Sequence, residues 1–478
     1  MAGTMNSYGL ALAEILLASG ICLVLVVDLF VRDRARDITY LLSILVLIVI
    51  AAGSSAIGVE GREETFSGSF VVDPLSRLLK LVSLGVVAVV FLYSRKYLRE
   101  QALYKGEFYV LCLFALLGIF VLISANSLLT AYLGLELMSL SLYALVAFNR
   151  DSPNAAEAAM KYFVLGAIAS GVLLFGMSII YGVTGSLQLA GIATSLAAGQ
   201  AGYLSVMLGL AFIVVGVAFK LGAVPFHMWL PDVYEGSPTA VALFVGTAPK
   251  LAGFAMAVRL LVEALGPSSA DWRSMLVIVA VLSLALGNIV AIAQTNIKRM
   301  LGYSTIAHVG FILLGFVAGT QAGLEASLFY SVIYVVMAAG AFGIIILLSN
   351  EDQEATELTS FRGLNSRSPW FALMMLLLLA SMIGIPPLAG FYAKWAVLTA
   401  VVASGEAWLA IVAVLLSVVG AFYYLRVIRL MYFEEPDEVV PVTAGFDVRL
   451  VLSLNGLAVL IIGIFPNSLL ALCAAAFT

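Results

Sequence analysis

Apolar stretches about as long as a bilayer is thick follow one another along almost the whole chain. A chain built this way must satisfy its backbone polar groups inside each stretch, so helices crossing a membrane are the fold it allows. Stretches near 8–31, 38–58, 74–94, 107–124, 127–148, 155–181, 202–230, 239–263, 272–294, 300–318, 325–349, 368–402, 406–433 and 447–475 predict about fourteen spans. The narrowest division is Ser124-Ala-Asn-Ser127. The loops are short, so no separate soluble domain is expected. Hydrophobic residues make up 63% of the chain and charged ones 11%, where an ordinary soluble domain carries roughly 25% charged. The first stretch is too long for a signal-peptide core and has no small-residue cleavage site, so it reads as a retained helix. The net charge of −4 is spread over loops, which leaves no footprint for nucleic acid. Cys22, Cys112 and Cys473 stand in three different stretches without metal-ligand spacing, so neither an iron–sulfur cluster nor a zinc site is expected.

Orientation follows the loop cations. Most Lys and Arg, from Arg32, Arg34, Arg36, Arg95, Lys96, Arg99 and Lys105 through Arg150, Lys298 and Arg299 to Arg426, Arg429 and Arg449, map to one side. The other side and its span edges hold Arg62, Arg77, Lys80, Arg259 and Arg273. The first side is assigned to the cytoplasm, with both termini outside. Arg77 and Lys80, near Asp73, read as interfacial.

Prolines interrupt two spans. The seventh contains Lys220-Leu-Gly-Ala-Val-Pro225-Phe-His227-Met-Trp229, and the twelfth contains Gly384-Ile-Pro-Pro387-Leu-Ala-Gly390-Phe391-Tyr-Ala-Lys394. Proline removes a backbone donor and clashes with the preceding turn, so both helices should unwind there. Gly222, Pro225 and Trp229 match Gly384, Pro387 and Phe391 in spacing. The two breaks lie five spans apart, and an odd number of spans per unit inverts the second unit relative to the first. The expected fold is therefore all-α and polytopic, with two inverted five-helix repeats, spans 4–8 and 9–13, each holding a broken helix. The expected division is 1–106 for helices 1–3, 107–265 and 266–433 for the repeats, and 434–478 for the last helix.

Charges inside these stretches need a reason, because one at bilayer depth costs between about 3 and over 10 kcal/mol. Glu136 lies mid-span in Tyr132-Leu-Gly-Leu-Glu136-Leu-Met-Ser. Alone it would take up a proton; beside Lys161 or Lys220 it would stay ionised, either as a working group or as a static pair between helices. Lys220 precedes the first break, and Lys250 follows Pro249 near the middle of the eighth span, too deep for easy snorkelling. A buried lysine can accept and release a proton near neutral pH. Lys394 either ends such a chain or caps freed carbonyls. His308, in Tyr303-Ser-Thr-Ile-Ala-His308-Val-Gly, reads equally as relay or packing. His227 serves the uptake side or caps the break. Lys161 lies closer to the loop of Arg150 and Asp151 and is expected to be partly solvated. Ser139, Ser141, Tyr143, Thr247, Ser304, Thr305, Tyr330, Ser331 and Tyr334 are strung between these charges and could hold waters.

The run Pro225-Phe-His-Met-Trp-Leu-Pro-Asp-Val-Tyr-Glu-Gly-Ser-Pro-Thr239 resembles the signature of the antiporter-like, proton-pumping subunits of respiratory complex I. Pro249-Lys250, the run from Lys298 to His308-Val-Gly, and Gly384-Ile-Pro-Pro-Leu-Ala-Gly-Phe-Tyr-Ala-Lys394 are similar too, so the likeness covers nearly the whole chain. Within the family the forms Asp-Val-Tyr-Glu-Gly and Pro-Pro-Leu-Ala-Gly-Phe-Tyr-Ala-Lys resemble the subunit N branch. Lys394 stands where the M branch typically has a glutamate, and the chain stops at Thr478, where the largest sister subunit continues into a lateral helix. The resemblance implies a proton-translocating membrane subunit of an NADH-quinone oxidoreductase. Glu136, Lys220, Lys250 and Lys394 would be its working residues, with Lys161 at the sixth-span lysine position. It further implies no cofactor in this chain, with NADH, FMN, iron–sulfur clusters and quinone in other subunits. The implied partners are other membrane-arm subunits, sister antiporter-like and small helical ones, and lipids, in a hetero-oligomer of the bacterial inner membrane. A subunit of a multisubunit cation/proton antiporter shares the fold and is the alternative.

Overall fold

A computed structural model describes residues 7–32, 35–56, 61–199, 202–351, 354–436 and 445–477. Arg34, one of the cations used to orient the chain, lies outside them. Thirteen helices among these residues are long and apolar enough to cross a membrane, from Leu12–Phe30 to Phe446–Ile464. The shorter helices Pro369–Ile383 and Ala389–Ala403 together make one further crossing, the broken twelfth span. The expected architecture is thus present. The exceptions are local. A small antiparallel hairpin pairs Glu63–Thr65 with Phe70–Val72 between the second and third spans. The last span stops at Ile464, and Pro466 starts a separate helix, Pro466–Ala475, where one continuous stretch to residue 475 was expected.

The hairpin explains how the narrow Ser124–Ser127 division holds. Val71 N–H donates to Ser124 O (2.9 Å) and Asn126 N–H to Ser69 O (3.1 Å), so the hairpin supplies the turn's backbone partners. Ser127 then caps the fifth span by accepting from Thr130 N–H, a contact worth about 1 kcal/mol.

The inverted repeat has an internal register. A Cβ on Gly118 would lie 2.4 Å from Met138 N and 2.8 Å from Gly134 O; on Gly287 it would lie 2.7 Å from Ala307 N and 2.8 Å from Tyr303 O. Both glycines let two spans approach closely, as membrane helices without a hydrophobic drive between them tend to do. Ser127 bridges Gln188, and Asn296 bridges Glu357, in the same way. This register sets Glu136 against Thr305 and Ser139 against His308.

The eighth span is also broken, which periodicity did not reveal. Helix Thr239–Val245 ends at Gly246; Thr247 has φ −122° and ψ −95°, and Ala248–Ala257 starts anew with Pro249 in its first turn. A seven-residue π-helix, Val258–Ala264, continues it. Its expected counterpart in the second repeat, Ala407–Phe433, is uninterrupted.

Three cations sit differently from their sequence reading. Lys80 is not interfacial but buried, 2.6 Å from Glu14 of the first span. Lys298 is not a solvated loop cation: it is 1% exposed and donates to Ser237 O (2.8 Å) and Glu354 Oε2 (3.1 Å). Arg259 is fully enclosed, paired with Asp73 (2.7 Å) and Glu263. Burial alone would raise the Asp73 carboxyl, but Arg259 and the Ser76 cap hold it below the usual carboxylate value.

Candidate proton-transfer chain

Each broken helix ends on a glycine in the left-handed region, Gly222 (φ 82°) and Gly384 (φ 94°). There a side chain would be strained, and glycine is not. Behind each glycine the chain turns back on the helix: Gly222 and Ala223 N–H share Ala218 O, and Gly384 and Ile385 N–H share Ala380 O. That leaves the carbonyl just before the glycine. In the first break Lys250 Nζ donates to Leu221 O at 2.8 Å; in the second Lys394 Nζ donates to Ile383 O at 2.8 Å. A cation at a helix C-terminus meets the negative end of the helix dipole, worth up to about 2 kcal/mol when partly buried. Each ammonium also lies over an aromatic ring, Lys250 over Trp229 (5.2 Å) and Lys394 over Phe311 (5.1 Å). Trp229 is itself fixed by stacking on Tyr162 (4.5 Å) and by donating to Phe219 O (3.0 Å).

Lys220, 7% exposed, donates to Ser139 Oγ at 3.1 Å. Glu136 lies one helical turn before Ser139 and so on the same face, but it accepts from Ser170 rather than from a lysine. Glu136 and Lys220 form no ion pair among the described residues, yet their charges are within electrostatic range, as are those of Lys220 and Lys250. A cavity of about 20 Å³ lies beside Lys220, lined also by Ser139, Tyr143 and Ser170, room for about one water. Lys161 is apart from this group. Its ammonium pairs with Glu157 and Asp232, both at 2.8 Å, and it is well exposed. His227 is half-buried in the first break, and its Nδ1 has no hydrogen-bond partner among the described residues.

The second half is richer in hydroxyls. His308 Nδ1 meets Tyr330 OH at 2.8 Å and Nε2 meets Tyr424 OH at 3.1 Å. Tyr424 is hydrogen-bonded to Ser304, and Thr305 to Tyr334 (2.8 Å). Lys394 also donates to Ser417 Oγ at 2.7 Å. A cavity of about 10 Å³ between His308 and Lys394 is bordered by Asn288, Ser417 and Tyr424. His308 is within electrostatic range of Lys394. Among the described residues no hydrogen bond joins Lys250 to His308. The structure therefore brings Glu136, Lys220 and Lys250 together, and His308 with Lys394, and leaves Lys161 and His227 outside both groups.

Sequence reasoning missed Tyr424, Ser417 and Asn288, each an isolated polar residue in an apolar span, and the buried Lys298–Glu354 pair. A polar residue repeated at the level of His308 on neighbouring spans was the available signal. Among the described residues no group of three or more His, Cys, Asp or Glu could hold a metal ion.

Residues 125–420 match the family model described as NADH:quinone oxidoreductase/Mrp antiporter, TM. A protein named NADH-quinone oxidoreductase subunit N from Thioalkalivibrio sulfidiphilus is 58% identical over 96% of this chain and 95% of its own. Among solved structures, a chain of "Respiratory complex I from Thermus thermophilus with bound Aureothin" is 30% identical, with a TM-score of 0.82 over 97% of this chain and 99% of that one. A chain of "Structure of Mrp complex from Dietzia sp. DQ12-45-1b" is 21% identical, with a TM-score of 0.85 over 99% of this chain and 97% of that one, and shows the shared fold alone.

Proposed function

Because the chain belongs to the NADH:quinone oxidoreductase/Mrp antiporter transmembrane family, we propose that it is a proton-translocating membrane subunit of an NADH-quinone oxidoreductase, working beside other membrane-arm subunits. The observation that carries the mechanism is the pair of lysines, Lys250 and Lys394, each buried or half-buried against the carbonyl end of a broken helix. A lysine in that position has a hydrogen-bond acceptor that favours its charged form and an apolar surround that opposes it. Small changes nearby then decide which form wins.

In this reading the proton chain runs over Glu136, Lys220, Lys250, His308 and Lys394, within the repeats 107–265 and 266–433, between helices 1–106 and the C-terminal helix of 434–478. A change of charge at Glu136 or Lys220 alters the free energy of charged Lys250. Unit charges about 6–8 Å apart interact by roughly 2–3 kcal/mol at an effective dielectric near 20. That shifts a proton equilibrium by roughly 30- to 150-fold. Lys250 passes its proton toward His308 and its tyrosines, and Lys394 releases it. The distribution of the loop cations supports a topology with both termini on the outer side of the bacterial inner membrane. Flavin, iron–sulfur and quinone chemistry is assigned to other subunits; for the iron–sulfur part, what supports this is that Cys22, Cys112 and Cys473 stand on three different helices. Lys161 and His227 keep supporting places at the edges of the first site.

Lys220→Met tests the reading. The complex should assemble on a native gel and pump fewer protons per NADH oxidised in proteoliposomes. Unchanged pumping by that variant would overturn it.

A further inference from the structure

A second site lies away from the proton chain, where the ends of the first three spans meet the C-terminal helix at one membrane face. A cavity of about 370 Å³ opens there, within the size range of small-molecule sites. Its walls are mostly apolar, including Leu10, Ala13, Leu78, Leu81 and Leu472. Three polar side chains reach it. Lys80 is neutralised by Glu14 (2.6 Å) and held over the rings of Phe70 and Phe120. Ser54 has a buried hydroxyl oxygen with no hydrogen-bond partner among the described residues. Arg77 is exposed in the first turn of the third span, and its guanidinium has no ion pair or hydrogen bond among the described residues. The cavity is thus an apolar slot with one uncompensated cation and one unsatisfied hydroxyl at its rim.

We propose that this slot binds an anionic phospholipid, its acyl chain between the first and third spans and the C-terminal helix, its phosphate on Arg77 with Ser54 as a further donor. The placement argues for a lipid over a soluble anion. The cation sits at the end of spanning helices, where headgroups lie, and the apolar walls run from there into the hydrocarbon depth. A guanidinium offers a planar fork that matches phosphate. A zwitterionic headgroup brings its own cation beside Arg77 along with its phosphate, and like charges repel, so the site should discriminate by net charge. Glu14, already spent on Lys80, does not offset this.

The test uses the assembled complex in nanodiscs with a photoactivatable phosphatidylglycerol as probe. Labelling should map to residues 74–81 and 472–476. Unlabelled phosphatidylglycerol should compete several-fold better than phosphatidylcholine, and glycerol 3-phosphate should not compete. Arg77→Gln should abolish the preference between the two lipids, and Ala475→Phe, which fills the slot, should abolish the labelling. Neither residue belongs to the proton chain, so pumping with saturating lipid should stay at the wild-type level. Equal competition by both lipids in the wild type would overturn the proposal. So would labelling that survives Ala475→Phe, or competition by glycerol 3-phosphate.

Discussion

The two broken helices solve one problem with different residues. Both stop at a left-handed glycine and leave one carbonyl for a lysine. In the first half that lysine, Lys250, comes from a neighbouring span that is itself interrupted at Gly246–Thr247. In the second, Lys394 comes from the far side of the same break. Matching Gly222 to Gly384, the place of Lys394 is taken in the first half by Asp232, which is tied to Lys161 and Arg299. The place of Lys220 is taken in the second by Met382. Ser139, which receives Lys220, is replaced by His308. The repeat therefore keeps a task, a cation on a freed helix end, without keeping the residue that performs it. The consequence is an uneven pair: a first half built on an acid and two lysines, and a second on one lysine, one histidine and a ring of hydroxyls.

Lys250→Met should have the largest effect. It removes the cap on Leu221 O and the charge next to Lys220 together, and pumping normalised to NADH oxidation should fall about tenfold or more, a loss of roughly 1.4 kcal/mol in the transfer step. Lys394→Met should cost less, a few-fold, because Ser417, Tyr424 and His308 still border the cavity it leaves. Equal losses in the two variants would erase the distinction between the halves. Tyr424→Phe comes next. It deletes the hydroxyl joining His308 Nε2 to Ser304, a hydrogen bond worth about 0.5 kcal/mol at the low end of the usual range, so pumping should drop about twofold. If the variant pumps normally, the hydroxyl ring is packing and the second half works through Lys394 alone.

Much of this was legible beforehand, and the exceptions have physical causes. Prolines 225 and 387 and the glycines before them marked two breaks because those residues act on their own backbone. The third break was hidden: Pro249 is tolerated in the first turn of a helix, so it did not distinguish a kinked helix from a new start. The lysines were visible as charges in apolar runs, but their partners were not, since a backbone carbonyl such as Leu221 O leaves no trace in residue identity. The expected Glu136–Lys220 pair became Glu136–Ser170 and Lys220–Ser139, because a hydroxyl is as good a near neighbour and occurs in every span. Lys80 and Lys298 were misread for the opposite reason. Each sits near a helix end, where cations are ordinarily solvated, and only the distant partners Glu14 and Glu354 show that these two are enclosed.

The smallest expected effect concerns what joins the halves. Glu354, in the loop after the eleventh span, receives Lys298 of the tenth and the Thr239 hydroxyl (3.3 Å) and N–H (3.4 Å) at the start of the eighth, so it ties one repeat to the other. The same Thr239 N–H also donates to the hydroxyl oxygen of Tyr97 in the third span, at 2.9 Å. Burial pushes the Glu354 carboxyl up to about 7, against the opposing pull of the Thr239 N–H. A raised value means the folded protein holds this proton more tightly than the unfolded chain. The stability it contributes is full below the ordinary carboxylate value, declines as pH rises toward 7, and is flat above. Glu354→Gln removes that slope. The thermal midpoint of the assembled complex should fall from near pH 5 to near pH 8 by about 1–2 °C more in the wild type than in the variant. Groups away from Glu354 and its partner Lys298 titrate alike in both proteins, so the difference between the two slopes isolates that pair. Identical slopes would mean that Lys298 keeps this carboxylate charged throughout, and that the halves are joined by a fixed ion pair rather than by a shared proton.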